Sequence, residues 1–164
     1  MSKLYLFLFA FISISFTSAA QAKKLKKYPS TIIYAGKYSF GTTAEKEEVG
    51  FAYIYSESDS TILFYLDLNA GPPSLSMGEI YGKVIIKKAK GVFESSFNNN
   101  KQSCKFSFQF LNNKLIIKTV DAEANCGFGH NVFADGTYKR ISNKNPTYFI
   151  DQTASKIYFK DLKL

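Results

Sequence analysis

Residues 104–111 read Cys-Lys-Phe-Ser-Phe-Gln-Phe-Leu. In an extended chain successive side chains point to opposite faces, so Cys104, Phe106, Phe108 and Phe110 share one side and Lys105, Ser107 and Gln109 the other. Such a segment needs a sheet with one face in a core and the other in water. The same period of two recurs along most of the chain, and no convincing amphipathic helical stripe appears after residue 22. The fold class that follows is all-β.

Turn chemistry cuts the chain into strands. Asn112-Asn113 tolerates the positive φ of a tight hairpin, which pairs 104–111 with 114–120 and sets Phe110 opposite Leu115 and Phe108 opposite Ile117. Upstream, strands are expected over 31–40 (broken at Gly36), 49–55, 61–68, 78–88 and 91–97. The run 61–68 is apolar on both faces, as a strand covered on both sides would be. Gly82, inside 78–88, suggests a bulge or sharp bend. Downstream, 137–141 is a strand, and 148–150 with 156–160 make a last hairpin. All four prolines fall outside these runs. Eight to ten short strands with short connections predict a single small antiparallel, barrel-like domain, with a two-sheet sandwich as the runner-up.

The amino terminus reads as an export signal. Lys3 precedes an apolar run over 4–16, and Ala20-Gln21-Ala22 offers small residues for cleavage after Ala22. The run is too short for a membrane span, which takes ~20 residues, so no transmembrane anchor is expected. The division is a signal peptide over 1–22, a basic arm over 23–29 and one β domain over 30–164. The leader removes one of 21 basic residues and none of 13 acidic ones, leaving net +7. Lys23, Lys24, Lys26 and Lys27 concentrate part of that charge, read as a solvated leader or as contact with an anionic envelope polymer or membrane. The other lysines are scattered and Arg140 is the only arginine, a poor match to nucleic-acid binding. Two cysteines in an exported chain predict one disulfide, Cys104 to Cys126.

Chemistry-bearing residues gather in 126–138, Cys-Gly-Phe-Gly-His-Asn-Val-Phe-Ala-Asp-Gly-Thr-Tyr. His130 is the only histidine, and a hydrolase would need it beside Asp135 and a serine brought in by the fold, without the strand–turn–helix elbow such serines use. Asp121, Glu123 and Asp135 could be imagined around calcium, but no standard metal spacing is met, and no cofactor is implied. Gly127-Phe128-Gly129 lacks the helix and the Lys-Ser/Thr of a phosphate loop; it reads as a tight turn with Phe128 packed on the disulfide or projecting as an anchor. Phe128, His130, Asn131 and Asp135 are the candidate contact residues of a braced loop. A second candidate is an aromatic face of Tyr53, Tyr55, Tyr65 and Tyr81, which could bind protein or sugar or form a second core layer.

The run Cys-Gly-Phe-Gly-x-x-Val-x-Ala-Asp-Gly-x-Tyr-Lys resembles one in small exported bacterial proteins of uncharacterised role, most closely over 104–159 and more loosely over 50–82. In plan, a small secreted β domain with one disulfide, the chain is also similar to periplasmic lysozyme inhibitors. No segment matches their inhibitory loop residue by residue, so that resemblance carries no site residue with it. The expected function is a secreted or periplasmic non-catalytic binding protein, an inhibitor of an envelope or secreted hydrolase such as a lysozyme. Against a lysozyme in particular, the +7 charge would slow encounter with a cationic enzyme. The alternatives are a module for an anionic glycan or membrane, and a small hydrolase using His130.

Overall fold

The computed structural model describes residues 27–41, 48–97, 102–120 and 126–164. The expected signal peptide, and Lys23, Lys24 and Lys26 of the basic arm, lie outside them, as do Asp121 and Glu123. Eight strands make one antiparallel sheet: β1 (Gly36–Phe40), β2 (Val49–Ser56), β3 (Thr61–Asn69), β4 (Met77–Ile85), β5 (Lys90–Phe97), β6 (Gln102–Leu111), β7 (Lys114–Thr119) and β8 (Gly136–Ser142). Their order is β4-β3-β2-β1-β8-β7-β6-β5. Two four-stranded meanders thus join through β1 and β8. At the far ends β4 and β5 come back together, and among the described residues their runs are bridged by Lys87 and Lys90 at the hairpin between them. The sheet is a nearly closed barrel with a single seam. One continuous sheet replaces the two sheets of the sandwich alternative.

The barrel interior is filled. Tyr38, Ile54, Phe64, Leu66, Phe93, Phe106, Phe108, Phe110 and Tyr138 all project into it and are buried. So many rings fit because small residues face large ones across the strands. Gly50 lies opposite Phe40 and Gly82 opposite Phe64. A Cβ on Gly82 would collide with the Phe93 ring. That corrects the expected bulge: β4 keeps its register with β3 straight through Gly82. The glycine is there for the approach of an aromatic ring from β5. The irregularity occurs instead between Lys37 and Tyr38, where β1 passes along β8.

Two other expectations change. The first part of 31–40 is a 3-10 turn, Ser30–Tyr34, and the strand starts only at Gly36. Thr31 is buried there with its hydroxyl bonded to Ser56 Oγ at 2.6 Å, which anchors the turn over the β2–β3 end of the barrel. The run 78–88 stops being a strand at Ile85 because the chain turns at Lys88 and Ala89, both at positive φ. Asn112 and Asn113 do adopt positive φ, and β6 pairs with β7 in the register read from the sequence, Phe110 with Leu115 and Phe108 with Ile117.

Outside the barrel, β9 (Tyr148–Ile150) and β10 (Lys156–Tyr158) form a separate hairpin. It lies on the outer face of β2 and β3, where Leu63, Tyr65, Phe149 and Phe159 make a second small core. This is why 61–68 is apolar on both sides. No helix among the described residues is long and apolar enough to cross a membrane.

Candidate functional site

The loop from Cys126 to Asp135 is held at several points along its length. Cys126 is bonded to Cys104 on β6, with a Cα–Cα distance of 4.7 Å. Phe128 stacks on Phe106, centroids 6.2 Å apart, and fills the space left by the missing side chain of Gly78. The Gly129 amide donates to the Met77 carbonyl at 3.0 Å, which ties the loop to the first residue of β4. A Cβ at Gly129 would lie 2.9 Å from that same carbonyl oxygen, so the close approach requires glycine. Ser74 Oγ donates to the His130 carbonyl at 3.1 Å. Val132 and Ala134 are buried in the barrel core. At the far end, Asp135 Oδ1 accepts from the Thr119 amide at 2.9 Å and from the Thr119 hydroxyl, closing the loop onto β7.

What the loop presents follows from what it buries. Phe128, Val132 and Ala134 face in, so His130, Asn131 and Phe133 face out, Phe133 with 59% of its surface exposed. Beside them, through the Ser74 and Met77 hydrogen bonds, stand Leu75 and Met77, also exposed. Of the contact residues read from the sequence, His130 and Asn131 are at the surface. Phe128 is turned inward as a packing residue, and Asp135 is spent on the loop's own anchorage. Phe133, Leu75 and Met77 are the additions. Phe133 was legible in outline, since it stands between two small apolar residues in an alternating run. Leu75 follows two prolines and carries no pattern.

The site offers little for catalysis. Asp135, the expected partner of His130, is bonded to Thr119 instead, and Ser74 meets the histidine through its backbone carbonyl, not its ring. Among the described residues no group of three His, Cys, Asp or Glu side chains could hold a metal ion.

The four tyrosines do not make one open face. Tyr65 is buried under Phe149, their rings stacked at 3.9 Å, and Tyr55 stacks on Phe159 at 5.4 Å. The Tyr65 hydroxyl donates to Glu79 Oε2 at 2.8 Å, and the Gln152 amide of the hairpin turn donates to the same oxygen at 3.0 Å. Burial and the neighbouring Glu79 carboxylate push the Tyr65 phenol far above its ordinary range, so it stays a neutral donor. Tyr81 is exposed at the margin, and Tyr53 is half-buried beside the segment leading into β9. The aromatic surface is therefore mostly a second core layer. No protein-family model matches the chain, and neither a curated protein nor a solved structure matches it.

Proposed function

We propose that this is an exported, non-catalytic binding protein that recognises a protein partner through the braced loop, and that the partner is a hydrolase of the envelope or medium. One observation carries the reading: a loop pinned by a disulfide, a ring stack and hydrogen bonds at both ends still exposes His130, Asn131 and Phe133 next to Leu75 and Met77. A rigid loop loses little conformational entropy on docking, so its exposed aromatic side chain can act as an anchor. The filled barrel supports the same reading, since the interior leaves the rim as the place for contact. The cysteine pair supports an oxidising compartment.

The test is inhibition of cell-wall hydrolysis by the native secreted and envelope fractions, with and without added protein. The expected result is dose-dependent inhibition that Phe133→Ala weakens about tenfold or more, the scale of a hot-spot truncation. The paired Cys104→Ala/Cys126→Ala variant should lose more inhibition than fold. His130→Ala should leave hydrolysis unchanged in the protein alone. Absence of inhibition together with an intrinsic hydrolytic activity lost in His130→Ala would replace this reading with the enzyme alternative.

A further inference from the structure

A cleft of about 480 Å³ separates the barrel from the segment that leads into β9. Lys37, Tyr53 and Ser142 stand on barrel strands and form one wall; Lys144, Asn145 and Tyr148 belong to the other. The outer wall is preset: Asn145 Oδ1 accepts from the Ser56 amide at 3.0 Å, which ties it to β2. Lys37 is a half-buried residue, and its ammonium lies 4.2 Å from the Phe51 ring centre and 4.8 Å from that of Tyr53. The two ion pairs among the described residues are Lys83–Glu57 and Lys105–Glu94, so neither Lys37 nor Lys144 has a carboxylate in contact. Asp67 lies within electrostatic range of Lys37 without an ion-pair contact, and burial raises its pKa. A further ammonium, Lys156, lies 4.0 Å over the Tyr148 ring. No hydrogen bond among the described residues occupies the hydroxyls of Tyr53 or Tyr148.

We infer that this cleft binds an acidic sugar unit, a carboxylated pyranose of an anionic polysaccharide. Two unpaired ammoniums call for an anion. The rings of half-buried Tyr53 and exposed Tyr148 offer apolar faces for the ring C–H groups of a sugar. The Tyr53 and Tyr148 hydroxyls, with Ser142 and Asn145 beside them, suit a ligand dense in hydroxyl groups. The volume fits one or two sugar units, within the usual span of small-ligand sites. A flat bilayer could not enter a cleft of this size, and a purely apolar ligand would strand the two charges. The site shares no residue with the braced loop, from which β8 separates it in sequence, and does not depend on that loop's role.

The experiment is a backbone amide NMR titration of the whole mature protein with tetragalacturonate, monomeric galacturonic acid and neutral maltotetraose. Tetragalacturonate should shift the resonances of Lys37, Tyr53, Lys144 and Tyr148, and maltotetraose should not. Lys144→Gln, a change at an exposed position, and Lys37→Met, which keeps the stem over the rings, should each weaken binding about tenfold, as loss of a charge-assisted bond does. Equal affinity for the monomer would assign the site to free sugar acids, and tighter binding of the tetramer to the polymer; both support the acidic-sugar chemistry. Silence of the cleft residues, equal response to maltotetraose, or shifts confined to Lys87, Lys88 and Lys90 would overturn it.

Discussion

Tyr38 and Tyr138 stand three residues into the similar triplets Gly36-Lys37-Tyr38 and Gly136-Thr137-Tyr138, on the adjacent strands β1 and β8. Each hydroxyl donates to the carbonyl four residues earlier, Tyr34 at 2.7 Å and Ala134 at 2.9 Å. Each strand is thereby hooked to the segment that enters it, at the junction of the two meanders. Arg140 Nε also donates to the Tyr38 hydroxyl at 2.9 Å, and Arg140 reaches the Ile33 carbonyl, so the lone arginine serves the fold. At Gly82 a single added methyl meets the buried rings of Phe93 and Phe64. Gly82→Ala is expected to destabilise by about 2 kcal/mol or more, an overpacking cost, measured as a lower urea midpoint. Asp67 behaves in the opposite sense. Burial raises its pKa, so the stability it contributes is complete below the unfolded-state value of about 3.9 and is lost as pH rises through the folded value. Asp67→Asn should therefore be more stable than the parent at pH 7. The gain should shrink towards pH 3, and a gain independent of pH would refute the assignment.

Among the described residues no backbone–backbone hydrogen bond ties the β9–β10 hairpin to the barrel, and aromatic contacts seat it instead. Phe149 contacts Tyr65 at 3.9 Å, Phe159 at 5.2 Å and Tyr81 at 5.9 Å, and it is fully buried. Phe149→Ala should cost about 3 kcal/mol, in the range for a buried phenylalanine. It should also raise tyrosine exposure in the folded protein, seen by solvent-perturbation absorbance. Unchanged stability would show that the hairpin is not seated on β2 and β3. The loop after Cys126 works by the same logic with different means. Its covalent bond closes a 22-residue separation, which contributes roughly 3 kcal/mol in the chain-entropy treatment and fixes one end of the loop at β6.

At the scale of the whole molecule the seam between β4 and β5 is the weak line. Every other neighbouring pair of barrel strands shares a ladder, whereas these two meet at the Lys87–Lys90 bridge, and Phe93 fills the interior behind them. Exposed edges invite pairing with other chains, and charges on them discourage it. Lys83, Lys87, Lys88, Lys90 and Glu94 stand along this line, all exposed. The seam-facing amides of β4 and β5 should exchange hydrogen faster than those of any other paired strand. Protection equal to that of β1 and β8 would mean that the barrel is closed.

Much of this was present in the order of residues. The period of two, the Asn112-Asn113 turn, the β6–β7 register and the cysteine pair depend on local geometry and on only two thiols being available. The sequence therefore determined an all-β domain and the position of its tightest hairpin. Closure of eight strands into a barrel, the ring from β5 that explains Gly82, and the hairpin that covers Tyr65 are contacts between residues far apart in the chain. No local pattern encodes which aromatic meets which glycine. The stretch from Cys126 to Asp135 shows the division most clearly. Its composition marked it as a braced loop, but only the docking of Gly129 on Met77 and of Asp135 on Thr119 decided that Phe128 turns in while His130, Asn131 and Phe133 turn out.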